Sequence, residues 1–129
     1  MPNFSARSRR HLATCHPDLQ RLFAAVIEET DCAVICGFRS RADQEAAYRT
    51  GASRLRWPKS AHNQTPSRAA DVVPWPLGWE DLAAFDELAV VVKACAKQLG
   101  IAIVWGGDWK DFCDRPHYEL AGRKLDGAA

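Results

Sequence analysis

Apolar residues recur at the spacing of an α-helix in two segments of the chain, residues 17–30 and residues 81–99. Pro17 suits the first turn of the earlier segment, and Gly100 follows the later one as a stop signal. The earlier apolar stripe consists of Leu19, Leu22, Phe23, Val26 and Ile27. The later stripe consists of Phe85, Leu88, Ala89, Val92, Cys95, Ala96 and Leu99. The pattern therefore predicts one amphipathic helix over each segment.

A third helix is predicted from the residues at its ends. Ser40 and Asp43 resemble a capping box, in which a hydroxyl and an acidic residue three positions later satisfy free amides of the first turn. The helix would run to about Arg49 and end at Gly51.

Short apolar runs bounded by turn residues predict the strands. They cover Cys32–Cys36, residues 69–73, residues 101–105 and His117–Leu120. Residues 52–68 are instead polar, aperiodic and rich in Pro and Ser, which indicates a long loop of the kind that often carries function. Helices and strands follow one another without a regular β-α-β order, so the expected class is α+β.

Composition limits the classes of function. The 129 residues have the length of one domain, and 47% apolar with 26% charged residues is typical of a soluble globular protein. A net charge of +1 gives no reason to expect nucleic-acid binding. No run approaches the ~18 apolar residues of a membrane span, so we expect no stable membrane association. The polar head lacks the apolar stretch of a signal peptide, and we expect residues 1–16 to form a poorly ordered or loosely packed arm.

The five cysteines form an odd set without a regular framework, which argues for reduced thiols rather than disulfides. Cys32 and Cys36 lie in an apolar run, and Cys95 lies on the apolar face of a predicted helix. Each is therefore expected to be a small buried apolar residue. A thiolate zinc site built on Cys32 and Cys36 is disfavoured, because no CxxC pair accompanies them.

Two histidines and one aspartate are the candidates for chemistry. His62 lies in the long loop and His117 in the last predicted strand, while Asp71 lies inside an apolar strand. A carboxylate there is costly unless its charge is compensated, and a bound cation would compensate it. Two imidazoles and one carboxylate leave the fourth position of a zinc ion open, as in catalytic zinc sites. Such a metal lowers the pKa of a bound water to about 7.

A catalytic zinc site also needs a general base, and Asp114, three residues before His117, is the best-placed candidate. The adjacent Cys113 offers an alternative, as a nucleophile with His117 as its base. That alternative is weaker because it leaves His62 and Asp71 without a role.

Four short blocks occur in order along residues 34–120. They are Ser60-x-His62, Pro66-Ser67-x-Ala69-x-Asp71, Trp105-Gly106-Gly107-Asp108-Trp109 and Asp114-x-Pro116-His117-x-Glu119. Together they resemble the M15 zinc peptidases, and within them the phage endolysin branch of L-alanyl-D-glutamate peptidases, which are related to the VanY-type D,D-carboxypeptidases. The resemblance implies a Hedgehog/D,D-peptidase-like fold, with a small antiparallel sheet and flanking helices.

The resemblance also implies the site residues. One Zn²⁺ ion would be held by His62, Asp71 and His117, with Asp114 as the catalytic base. Arg39, in the run Gly37-Phe38-Arg39-Ser40, would stabilise the oxyanion.

Three further residues are expected to support this site. Ser60 and Gln44 are expected to bind substrate. Glu119 alternates with His117 on a predicted strand, so it would share the same face and orient that imidazole.

The implied function is hydrolysis of the L-Ala–D-Glu bond of peptidoglycan stem peptides by metal-activated water, in a single zinc peptidase domain over residues 1–129. Two alternatives stay open: a D,D-carboxypeptidase of the VanY type, and a non-catalytic zinc-containing module that binds the cell wall. By analogy with endolysins, the protein is expected to be a monomer made in the host cytoplasm without a signal peptide. It would then be released to the wall through a holin.

Overall fold

The computed structural model describes residues 2–122 and arranges them as four α-helices and a four-stranded sheet. The helices are α1 (Ala6–Leu12), α2 (Pro17–Glu29), α3 (Arg41–Thr50) and α4 (Leu82–Leu99). The strands are β1 (Cys32–Cys36), β2 (Ala69–Pro74), β3 (Ile103–Trp105) and β4 (His117–Leu120). Two single 3₁₀ turns cover Ala61–Asn63 and Gly106–Asp108. The predicted α+β class, with a small antiparallel sheet and flanking helices, is confirmed.

The sheet has the strand order β1-β2-β4-β3, and every neighbouring pair is antiparallel. Asp71 lies in β2, opposite Cys36 of β1 on one side and opposite His117 of β4 on the other. Directly opposite residues in antiparallel strands project from the same face of the sheet. The pairing therefore places these three side chains next to one another.

The ends of α3 and α4 follow from local chemistry, and the predicted cap at Ser40 and stops at Gly51 and Gly100 are confirmed. The Ser40 hydroxyl accepts a hydrogen bond from the backbone N–H of Asp43 and so begins α3, and the Asp81 carboxylate does the same for Ala84 in α4. Gly51 and Gly100 end α3 and α4 in the left-handed conformation, with φ of 83° and 71°, which glycine adopts without a Cβ penalty.

The main hydrophobic core lies between helices α2 and α4 and one face of the sheet. Ala70 and Val72 of β2 and Tyr118 of β4 belong to it, together with the apolar stripe of α2 and most of the apolar stripe of α4. Each fully buried large side chain contributes about 1.5–3 kcal/mol to the stability of the fold. Because side chains alternate across a strand, Asp71 projects from the face opposite Ala70 and Val72.

The expected loose arm over residues 1–16 is wrong for the residues that the structure describes. Residues 6–12 form α1, whose Ser8 hydroxyl accepts a hydrogen bond from the N–H of Val34 in β1 at 3.0 Å. Leu12 and Cys15 are buried in the core. The segment is too short and too polar to show an apolar stripe, and contacts distant in sequence hold it in place.

One strand boundary and one loop also differ from the sequence prediction. The strand predicted over residues 101–105 begins only at Ile103, because the N–H of Ile101 bonds to the carbonyl of Ala96 and completes the end of α4. The predicted loop 52–68 contains the 3₁₀ turn Ala61–Asn63. Within the described part of the chain, none of the helices combines the length and apolarity that a bilayer crossing requires.

Candidate active site

The three side chains predicted as metal ligands meet on the face of the sheet opposite the main core. Oδ1 of Asp71 lies 3.1 Å from Nε2 of His62 and 3.4 Å from Nδ1 of His117. The two imidazole rings stand edge to face, with centroids 5.1 Å apart. One nitrogen of each imidazole thus lies against the same carboxylate oxygen.

The position of His62 is fixed by the turn that carries it. The Ser60 hydroxyl accepts from the N–H of His62, and the Asn63 side chain returns a bond to the N–H of Ser60. On the ring itself, Nδ1 lies 2.7 Å from the carbonyl oxygen of Gly37. Because a carbonyl can only accept, Nδ1 is the donor in that bond, and Nε2 is the nitrogen that faces Asp71.

His117 is oriented in a matching way from the other side. Its Nε2 lies 2.7 Å from Oε1 of Glu119, and its Nδ1 faces Asp71. A carboxylate bonded to the outer nitrogen of an imidazole is a common device for holding a ligating histidine in one orientation. Glu119 therefore lies where the sequence prediction expected it, beside His117 on the same strand face.

In this cluster, the negative charge of Asp71 and the positive charge of His62 stabilise each other. Burial alone would lower the pKa of His62, but the charge and hydrogen bond of Asp71 raise that pKa to about 10. Burial would likewise raise the pKa of Asp71, yet the two imidazoles hold it well below its usual range. Asp71 thus stays an anion at every physiological pH, and the pocket around it favours positive charge. This potential and the donor set both suit a divalent cation.

Cys36 is a donor that sequence analysis did not assign to this site. Cys36, His62 and Asp71 offer donor atoms within 4.8 Å of one another and form a group that could hold a metal ion. The Cys36 sulfur lies 3.9 Å from Nδ1 of His62, the nitrogen already committed to Gly37. The expectation that Cys36 is simply a buried apolar residue is therefore wrong, because it is half-buried beside the site.

Arg39 borders the site through a network of side chains. One guanidinium nitrogen donates to Oε1 of Gln44 at 2.9 Å, and the other lies 3.5 Å from Oδ2 of Asp71. The side-chain amide of Asn63 donates both to the Arg39 carbonyl and to Gln44. Arg39 is thus held at the edge of the ligand cluster with part of its surface open to the cavity.

Gln44 is fully buried, and its amide is occupied by protein partners. It donates to the carbonyl of Leu55 at 2.6 Å and to the Ser53 hydroxyl at 3.0 Å, and it accepts from Arg39 and Asn63. This placement does not support the expected contact with substrate. Gln44 instead positions Arg39 and ties the loop after α3 to the site.

Asp114 is held near the ligands by a turn packed on Gly106. The N–H of Asp114 donates to the Gly106 carbonyl at 2.9 Å, and the Asp114 carbonyl accepts from the N–H of His117 at 3.1 Å. A Cβ at position 106 would lie 2.3 Å from the Asp114 carbonyl oxygen, so only glycine fits there. Burial, and next the charge of Asp71, raise the pKa of the Asp114 carboxyl. A raised pKa suits a group that must carry a proton.

The ligand cluster lies at the bottom of an open cavity of about 310 Å³. Among the residues expected to act, the cavity is lined by Arg39, Ser60, His62, Asp71, Asp114, His117 and Glu119. Aromatic walls come from Trp79, Trp109 and Phe112. The Trp109 ring lies 5.0 Å from that of His117, centroid to centroid. Cys113 is exposed and bonds to the Gly107 carbonyl, so its geometry gives no support to a cysteine nucleophile.

Sequence reasoning missed two glycines that shape this site. Gly37 supplies the carbonyl that holds His62, and a Cβ there would lie 2.3 Å from both the His11 carbonyl oxygen and the Thr14 hydroxyl. Gly106 carries the Asp114 turn. Gly106 stood in a recognised block, but only the three-dimensional contact reveals what it does.

Comparisons with known proteins agree on one family. A sequence model of the family described as phage L-alanyl-D-glutamate peptidase matches residues 2–128. The chain is 30% identical over 129 aligned positions to the L-alanyl-D-glutamate peptidase of Escherichia phage T5, covering 96% of this chain and 93% of that protein. The crystal structure of the Serratia marcescens L-Ala D-Glu endopeptidase ChiX is similar at a TM-score of 0.80 with 33% identity, over 92% of this chain and 90% of that one.

Proposed function

This chain belongs to the family of phage L-alanyl-D-glutamate peptidases, and from that premise we propose that it cuts peptidoglycan stem peptides with one zinc ion held by His62, Asp71 and His117. It is a peptidoglycan hydrolase, and its named relatives cleave between L-Ala and D-Glu. We propose that this chain cleaves the same bond, between L-Ala and D-Glu. The family membership favours this specificity over the D,D-carboxypeptidase and over a non-catalytic wall-binding module.

The main support for this proposal is that both imidazoles approach the same atom, Oδ1 of Asp71. Nε2 of His62 and Nδ1 of His117 both face that oxygen, and the opposite nitrogen of each ring is bonded to a protein acceptor. Each ring thus has one nitrogen left for a cation. The set of two nitrogens and one oxygen leaves room for a substrate or water ligand, as catalytic zinc sites require.

The thiolate set with Cys36 is the competing ligand set, and the hydrogen bonds argue against it. Cys36 approaches Nδ1 of His62, which already donates to the Gly37 carbonyl, and not the Nε2 atom that faces Asp71. In His117, Nε2 is bonded to Glu119 and Nδ1 faces Asp71. His117 lines the cavity and Cys36 does not, so we assign His117 rather than Cys36 to the ligands.

A zinc ion bound there would supply Lewis acidity, lowering the pKa of a water molecule and polarising the scissile carbonyl. The chain's own residues do the rest. Asp114, whose pKa is raised, takes a proton from the attacking water and returns it to the amine nitrogen of D-Glu as the C–N bond breaks. The guanidinium of Arg39 donates hydrogen bonds to the carbonyl oxygen as it gains negative charge. Ser60, which lines the cavity, is proposed to touch the substrate beside His62.

Zinc content and digestion of muropeptides test this assignment together. His117→Ala is expected to lose zinc after dialysis, as measured by mass spectrometry of the metal, whereas Cys36→Ser keeps it. Cys113→Ser is the matched control for a cysteine outside the site. Asp114→Asn is expected to keep zinc but to lose release of L-Ala-terminated fragments. Full zinc content in His117→Ala would contradict the ligand set. Turnover by Asp114→Asn at the rate of the unaltered protein would remove Asp114 from its role.

Release to the wall through a holin and a monomeric state remain predictions.

A further inference from the structure

The proposed substrate carries a negative charge close to the bond that is cut. Glutamate has two carboxyl groups, and at most one of them is used in the onward peptide link. A D-Glu residue in the middle of a stem peptide therefore keeps one free carboxylate, a few bonds from the nitrogen that leaves. A positively charged side chain in the cavity would bind that carboxylate and favour this residue over a neutral one.

Outside the proposed zinc site, the lining of the cavity carries positive charge only on its arginines. Three carboxylates line it, those of Asp71, Asp114 and Glu119. Of the two arginines in the lining, Arg39 is already bonded to Gln44 and lies against Asp71. It is therefore partly neutralised, and the mechanism uses its remaining donors on the scissile carbonyl.

Arg54 is the second arginine of the lining. Its guanidinium carbon lies 5.7 Å from the ring centroid of Phe112, across the cavity wall. Within residues 2–122, none of the ion pairs involves Arg54. A guanidinium that rests on an aromatic face keeps its edge donors available for a carboxylate.

The neighbouring loop arginine shows the contrast. Arg56 donates to Oε1 of Glu45 at 3.0 Å and lies over the ring of Tyr48, outside the cavity. Arg54 and Arg56 lie two positions apart on one loop, but they differ in location and in ion pairing. Arg54 lines the cavity and forms no ion pair with residues 2–122, whereas Arg56 is paired with Glu45 outside the cavity.

From these observations we infer that Arg54 binds the free carboxylate of the D-glutamate residue and so selects the acidic stem peptide; the inference rests on the proposed function. Arg54 is a specificity-determining residue in the cavity lining, beside Phe112. It makes no contribution to breaking the bond itself.

The test compares two synthetic stem peptides that differ only in this group, one with the free D-Glu carboxylate and one with that carboxylate converted to an amide. The unaltered enzyme is expected to cleave the acid with a kcat/KM about tenfold higher, since Arg54 is exposed and a charge-assisted bond there is partly screened. Arg54→Gln is expected to lose that preference by slowing cleavage of the acid alone. Arg54→Lys should restore part of it, and Arg56→Gln should leave it unchanged.

The outcomes separate the two ideas. If the unaltered enzyme cleaves both peptides equally well, or if Arg54→Gln retains the full preference for the acid, the role of Arg54 is refuted while the peptidase function stands. The same holds if Arg56→Gln reduces the preference as much as Arg54→Gln. If the unaltered enzyme cleaves neither peptide, the proposed function fails and the inference fails with it.

Discussion

Replacing Gly106 with alanine tests how strongly activity depends on the turn that carries Asp114 and His117. The added Cβ would lie 2.3 Å from the carbonyl oxygen of Asp114, 3.0 Å from Cβ of His117 and 3.1 Å from Cβ of Asp114. Carbon and oxygen atoms in close contact ordinarily lie about 3.3 Å apart, so the overlap with the carbonyl is about 1 Å. Because the clashing atom belongs to the backbone, no side-chain rotation relieves it and the turn itself must move.

The size of the effect follows from that displacement. Forcing a methyl group into a packed contact costs about 1–3 kcal/mol in the free energy of unfolding. A misplacement of about 1 Å in a catalytic group lowers the rate by about a hundredfold. We therefore expect Gly106→Ala to lose about a hundredfold in kcat/KM on a stem peptide. In urea unfolding, we expect it to lose about 1–3 kcal/mol in the free energy of unfolding.

Two other glycines provide matched controls. Gly100→Ala meets no atom within 4 Å but must adopt a φ of 71°, so it should cost about 1 kcal/mol of stability and leave kcat/KM unchanged. Gly78→Ala meets only Cβ of Asp81 at 3.9 Å and should change neither quantity. If Gly106→Ala kept the kcat/KM of the unaltered enzyme, the turn would not set the position of Asp114 and the reasoning would be refuted.

Three further substitutions test other parts of the structure. Glu119→Gln removes the carboxylate that fixes His117, and we expect zinc affinity to fall about tenfold to a hundredfold in a chelator competition assay. Gln44→Leu leaves the buried donors of its partners unpaired; we expect a loss of about 1–3 kcal/mol in urea unfolding and, because Arg39 loses its support, a lower kcat with little change in KM. Burial raises the pKa of the Cys32 thiol from 9.0 to about 12, so its stabilisation is complete below pH 9 and is lost as the pH rises from there towards 12. Cys32→Ala should therefore lose less stability between pH 8 and pH 10.5 than the unaltered protein, and an equal loss would contradict the assigned burial.

The elements that were predicted correctly are those whose signals are local. The start of α3 requires only Ser40, and the ends of α3 and α4 require only Gly51 and Gly100, each next to the helix that it bounds. The apolar stripe of α2 is also complete within its own segment. Such features form by short-range hydrogen bonds and spacing, so the sequence pattern alone is sufficient to locate them.

The elements that were missed depend on contacts between distant segments. Helix α1 is held by Ser8 against β1 and by Leu12 in the core, neither of which leaves a periodic signal in seven residues. Gly37 and Gly106 are required by the backbone of other segments rather than by their own conformation. Close approach between segments cannot be deduced from spacing along one of them.

A bulge in β1 explains why the position of Cys36 differs from the one that regular strand alternation predicts. Simple alternation places Cys36 on the same face as Val34, in the core, as the sequence analysis expected. The register shifts between these two residues, so that Val34 pairs with Val72 while Cys36 pairs with Asp71. One extra residue in β1 moves the side chains that follow it to the other face. Cys36 therefore lies beside the ligands.

The position of Asp71 is specified by its apolar neighbours as much as by its partners. Ala70 and Val72 are fully buried in the core, and the intervening carboxylate faces the two imidazoles. Moving β2 by one residue relative to its neighbours would place the charge of Asp71 in the apolar core and the Val72 side chain in the polar cavity. Both changes would destabilise the fold. Burying the unpaired carboxylate would cost far more free energy than removing the Val72 side chain from the core. The hydrophobic pattern of β2 thus holds the carboxylate in its register before any cation binds, which is why a single aspartate within an apolar run was an informative signal in the sequence.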